Sequence, residues 1–116
     1  MSFSGCRSSG LLTNTQKNGA TSAEPHLVHS GRCKLVSIHV TNLHADQAGV
    51  LTVYDNTAVS GKVVAKLYMV PITDAGAGGA GFSGNTMEFD MHGVICENGI
   101  MVDFTGGTLE CTIEYA

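Results

Sequence analysis

An all-β fold is what this sequence predicts: an antiparallel β-sandwich, jelly-roll-like or Ig-like, of about six to eight strands with an extended N-terminal arm. Three observations carry that expectation. Apolar and polar residues alternate with period two in short segments separated by Gly, Asn, Asp and Pro, as half-buried strands do. No window shows the apolar stripe of period 3.6 that an amphipathic helix needs. Residues 1–24 differ from the remainder, being rich in Ser, Gly, Thr and Asn with few apolar anchors.

Residues 1–24 sustain neither a helical nor a strand period, and they read as a disordered tail or as an arm that orders on a neighbouring subunit. Phe3, Leu11 and Leu12 are the apolar groups that would anchor such an arm. A β-sandwich domain is expected from residue 25 to residue 116. Residues 34–42 alternate, with Val36, Ile38 and Val40 on one face and Ser37, His39 and Thr41 on the other. After the polar turn at residues 44–48, residues 49–55 form a second strand with Leu51 and Val53 inward. Asp55, Asn56, Ser60 and Gly61 supply turn chemistry. In residues 62–70, Val63, Ala65, Leu67 and Met69 share a face opposite Lys66 and Tyr68. Pro71 ends that strand, and residues 74–85 are a glycine-rich loop. Met87, Phe89 and Met91 alternate with Glu88, Asp90 and His92, and a separate short apolar piece runs from Gly93 to Cys96. Asn98–Gly99 reads as a hairpin turn, because Asn and Gly tolerate positive φ. Ile100, Val102 and Phe104 align on the next strand. Gly106–Gly107 makes a tight turn, and Leu109, Cys111, Ile113 and Tyr115 line the inner face of the last strand.

The bulk numbers narrow the function classes. A chain of 116 residues suits one core. With only six Lys and Arg, scattered, and a net charge of −4, it has no basic patch with which to neutralise phosphates, so nucleic acid is not an expected partner. No apolar run approaches the roughly 20 residues of a membrane span, so no membrane role is expected. The first residues lack a basic stretch followed by an apolar one, and synthesis in the cytoplasm with reduced thiols is the expectation for Cys6, Cys33, Cys96 and Cys111. Cys111 falls in an alternating apolar stripe, where a thiol acts as a small hydrophobe.

Motifs for chemistry fail one by one. The Gly76–Gly84 stretch has no Lys for a phosphate loop, and Gly81–Phe82–Ser83–Gly84 is no nucleophile elbow. His26 and His29 with Cys33 are the nearest local ligand cluster, but they lie at the junction of arm and domain, and His39, His44 and His92 are spread along the chain. The carboxylates Glu88, Asp90, Asp103, Glu110 and Glu114 fall on the polar sides of strands, as a solvated sheet face requires. No catalytic residue, metal ligand or cofactor site is expected, and the chain does not read as an enzyme.

Three segments carry a resemblance: VSIHVTNLHADQAGVLTVYDN at 36–56, SGKVVAKLYMVP at 60–71 and GVICENGIMVDFTGGTLECTIEYA at 93–116. Together they resemble small β-sandwich structural proteins of tailed-bacteriophage virions, most of all capsid decoration (cement) proteins, over roughly residues 33–116. The resemblance implies a protein made in the host cytoplasm and carried on the capsid surface of the virion, as a homotrimer that bridges neighbouring major capsid protein subunits. An arm that orders on its partner suits that task, since it can cover a large surface and several copies gain by effective concentration. The four cysteines depart from the pattern, and the resemblance assigns no disulfide among them. A tail, fibre or head–tail component shares every one of these sequence features; the readings from other classes are a metal-dependent enzyme of cupin type and a carbohydrate-binding sandwich. The last would use aromatic platforms, whereas Trp is absent and there are three Tyr.

Overall fold

The computed structural model describes residues 5–14, 25–72 and 86–116, and these contain nine strands and no α-helix. The strands are β1 (Arg7–Ser8), β2 (Leu12–Thr13), β3 (His26–Ser30), β4 (Cys33–Asn42), β5 (Gly49–Asp55), β6 (Lys62–Met69), β7 (Thr86–Cys96), β8 (Gly99–Gly106) and β9 (Leu109–Tyr115). A front sheet has the order β1-β9-β4-β7, with β2 also on the outer edge of β9, and a back sheet has the order β3-β8-β5-β6. Every pairing is antiparallel.

The pairings are nested. Strand β5 pairs with β6, β4 with β7, β3 with β8, and β2 with β9. The chain is thus one long hairpin rolled up on itself, which is the jelly-roll form of the β-sandwich. Rolling the hairpin sends consecutive strands to opposite sheets. Among the described strands, only the β5–β6 link joins hydrogen-bonded neighbours; the links β3–β4, β4–β5, β7–β8 and β8–β9 all cross between sheets.

The core lies between the sheets. From the front come Leu35, Ile38 and Val40 on β4 and Leu109, Cys111 and Ile113 on β9. From the back come Leu51 and Val53 on β5, Met69 on β6, and Ile100, Val102 and Phe104 on β8. Burying each large aliphatic side chain stabilises the fold by roughly 1.5–3 kcal/mol. The inward faces expected for β5, β8 and β9 are the ones observed.

Strand β4 departs from clean alternation. Its register against both β7 and β9 shifts between Leu35 and Ser37, so Val36 sits on a bulge and Leu35 takes the inward position. A second shift, between Val53 and Tyr54, leaves Val64 as the extra residue on β6, and Val63 is exposed. The two pieces expected at 87–91 and 93–96 are one strand. Between Asp90 and Val94 it carries three residues where β4 carries only Val36, and His92 and Gly93 take φ of 55° and 70°. Two segments that sequence reading leaves unassigned also form strands: β3, whose bulge puts Val28 against the core while Leu27 stays exposed, and the two short pieces within residues 5–14.

Candidate functional site: the N-terminal seam and the outer front face

Residues 5–14 run along the free edge of β9. Arg7 and Ser8 pair with Tyr115 and Glu114, and Leu12 and Thr13 pair with Cys111 and Glu110. Between these pieces Gly10 adopts a left-handed φ of 75°. Ser9 holds the stretch between them to β9 through its backbone and its hydroxyl. The Ser9 amide donates to the Ile113 carbonyl at 2.8 Å, and the Ile113 amide donates to Ser9 Oγ at 2.9 Å. Asn14 closes the seam: its Oδ1 accepts from the Leu109 amide at 2.8 Å, and its Nδ2 donates to the carbonyls of Gly106 and Gly107 at 3.1 and 3.2 Å. His26 Nε2 lies 3.0 Å from the Thr13 carbonyl and ties the seam to the back sheet.

The anticipated arm anchors therefore differ in fate. Leu12 packs against the domain's own core. Leu11 points outward and is 60% exposed. Phe3 lies outside the described residues.

Leu11 borders a shallow groove of about 400 Å³ across the outer front face, shared with His39, Thr41, Met87, Glu88, Glu110 and Thr112. This face displays the polar members of three adjacent strands. Thr41 Oγ1 donates to Thr86 Oγ1 at 3.1 Å, and the Ser37 hydroxyl donates to Glu114. His39 Nε2 lies 3.6 Å from Glu88 and 3.9 Å from Glu114. Ser37 Oγ is 3.4 Å from the same nitrogen. A hydrolytic triad would use both ring nitrogens, one toward the nucleophile and one toward the acid. Here one nitrogen faces serine and carboxylates alike, which differs from that geometry, and the group makes an acidic, hydrogen-bonding surface.

The remaining histidines do not converge. His26 stacks edge-on against Phe104, His29 tilts against Tyr115, the His44 ring accepts from the amides of its own loop, and His92 stands beside Asp90. Among the described residues no group of three or more His, Cys, Asp or Glu could hold a metal ion. Comparison with protein-family models, curated proteins and solved structures finds no match to this chain.

Two buried polar side chains frame the sandwich, and sequence reading did not single out either role. Asn42, fully buried, donates from Nδ2 to the carbonyls of Gln47 and Met69, while its Oδ1 accepts from the amides of His44 and Thr108. At one end of the sandwich it thereby ties the β4–β5 and β8–β9 links to the end of β6. At the other, Asp55 accepts from the Glu97 amide at 3.0 Å and the Asn98 amide at 2.8 Å. Burial by itself would raise the Asp55 carboxyl. The backbone amides of Asn98, Glu97 and Gly99, with the charge of Lys62, outweigh that and hold its pKa below the ordinary value.

The Asp55 end also carries two cavities of about 340 Å³ each, both lined by Arg32 and Cys33. Ala116 also lines both; Gly5, Arg7, His29 and Tyr115 complete one, and Lys34 and Ile95 the other. The described cysteines are unpaired: Cys6 is exposed, and Cys33, Cys96 and Cys111 are buried.

Proposed function

We propose that this chain is a virion structural protein, a capsid decoration protein that sits on the outer capsid surface and holds neighbouring major capsid protein subunits together. The observation that carries the reading is the N-terminal seam. A segment held by two ladders of two residues each, with a leucine 60% exposed between them, is tethered to its own domain while leaving apolar surface to offer a partner. The acidic groove beside Leu11 supplies hydrogen-bond acceptors for orientation, and a capsid surface rich in Lys, Arg or amide donors would complement it. Jelly-roll sandwiches serve in viral capsids and in lectins. Fold alone leaves the choice open, and the sequence resemblance over residues 33–116 favours the capsid.

The test is reconstitution. Purified protein is added to capsids of the phage that encodes it, prepared without this component, and the particles are imaged by cryo-electron microscopy. Density for the sandwich on the outer shell, as trimers across subunit boundaries with residues 5–14 at the contact, is expected. Density confined to the tail would defeat the proposal.

A further inference from the structure

We propose that Cys33 and Cys96 are a redox pair, which a small-molecule disulfide of the glutathione type converts into a cross-strand disulfide stapling the end of β7 to β4. The inference does not depend on the virion reading.

The two residues are direct partners in the β4–β7 ladder. Directly opposed residues of an antiparallel pair have Cα atoms about 4.5–5.5 Å apart. A disulfide accepts Cα separations of about 4.4–6.8 Å. Partners in such a ladder project to the same side of the sheet, and both cysteines are buried, at 7% and 0% exposure. The spacing of such a pair falls within the range that a disulfide spans. Cys111, on the same sheet, is opposed to Val40 and Leu12 and has no such partner.

Access is asymmetric. Cys33 lines both end cavities, whose rims carry Arg7, Lys34 and Arg32, the last paired with Glu97 at 3.4 Å. These cations attract an anionic disulfide such as oxidised glutathione. Cys96 is sealed from solvent. Cys33 is therefore the entry thiol. Its thiolate attacks one sulfur of the reagent, forming a mixed disulfide and releasing one small thiolate. The Cys96 thiolate then attacks the Cys33 sulfur and expels the second. Two protein S–H bonds and the reagent's S–S bond are lost. One protein S–S bond and two small-molecule S–H bonds form, the two protons passing to the leaving thiolates. The protein gives up two electrons and the reagent takes them.

Burial, reinforced by the charge of Asp55, raises both thiols, Cys96 to about 11. Oxidation should accordingly speed up by roughly tenfold per pH unit below the thiol pKa.

The experiment treats the folded full-length chain with oxidised glutathione at pH 8, quenches with acid and alkylates under denaturing conditions. The Cys6→Ser variant, treated in parallel, removes the exposed thiol. Peptide mapping is expected to show a Cys33–Cys96 linkage with Cys111 still free. The melting temperature should rise by about 10 °C, because the bond closes a long loop, and reductant should reverse the rise. In Cys96→Ser, the Cys33 mixed disulfide should accumulate. An adduct on Cys6 alone, or a Cys6–Cys33 linkage, would overturn the proposal. Mapping of the unmutated chain decides the matter even if a variant does not fold.

Discussion

At the scale of single residues, the sandwich depends on where polarity is allowed inside. Asp55 is 6% exposed yet charged, because backbone amides of the β7–β8 link satisfy it. Its folded pKa is depressed, so the unfolded chain binds a proton more readily. The stability it contributes is complete above the ordinary Asp pKa of about 3.9 and is lost as pH falls through the lower folded value. Asp55→Asn leaves one amide facing a donor instead of an acceptor and should cost about 2 kcal/mol at pH 7. Thermal melts from pH 2 to 7 should show the unmutated chain losing its advantage over the variant in that acidic window. Ile113 presents the opposite demand. It is fully buried at the centre of the front sheet's inner face, so Ile113→Asp places an unpaired charge in the core. A loss of several kcal/mol is expected by urea titration, enough to threaten folding.

At the scale of elements, the links between strands decide more than the strands do. Glu97–Asn98–Gly99 is not the hairpin turn that its Asn-Gly pair suggests, because β7 and β8 lie in different sheets. Of the two, only Gly99 has positive φ, at 146°. The link is a corner, and Asp55 stabilises it from outside the local sequence. Gly99 is needed there twice over. A Cβ would lie 2.5 Å from the His29 carbonyl oxygen, and the backbone angle itself disfavours L side chains. Gly99→Ala should therefore lower stability by roughly 2 kcal/mol or more, with an unchanged urea m-value showing that the fold persists. The open edges show a second element-level theme. Strand β7 is kinked at His92–Gly93, and β6 bears a bulge and two lysines, Lys62 and Lys66. Such irregular, charged edges resist uncontrolled strand addition. The edge of β9, by contrast, is covered by the chain's own residues 7–13.

At the scale of the whole molecule, β2 and β9 form the outermost pair of a nested set. Removing β1 and β2 leaves β9 paired with β4 and leaves β3–β8, β4–β7 and β5–β6 intact. Deletion of residues 1–24 should thus leave a cooperatively folding domain. It loses the packing of Leu12 and the bonds of Ser9 and Asn14, so its melting temperature should fall by several degrees. The proposed capsid role further predicts that attachment to the shell weakens much more. Calorimetry of the truncated chain and its binding to capsids measure the two effects separately. Loss of a cooperative transition would place the segment in the core, and unchanged capsid binding would remove it from the proposed contact.

Much of the strand pattern was legible in the chain. Leu51 and Val53, Ile100 to Phe104, and Leu109 to Ile113 face inward as their alternation says, because one side of every sandwich strand meets the other sheet. The bulges at Val36 and Val64 were not legible, since an extra residue hides inside an apolar run and only the partner strand reveals it. Nor could Leu11 and Leu12 be separated: adjacent residues of one type, they are assigned to solvent and core by the edge of β9. The candidate face is similar. Ser37, His39, Glu88 and Glu114 were each assigned to a polar side, but their meeting is a matter of register. What the sequence by itself determined is the all-β class, most of the strands and the inward faces of β5, β8 and β9, because these follow from local alternation and turn chemistry. What only the tertiary structure decided is which sheet each strand joins, where the N-terminal segment lies and which cysteines face each other, because pairing between residues far apart in the chain leaves no periodic trace within it.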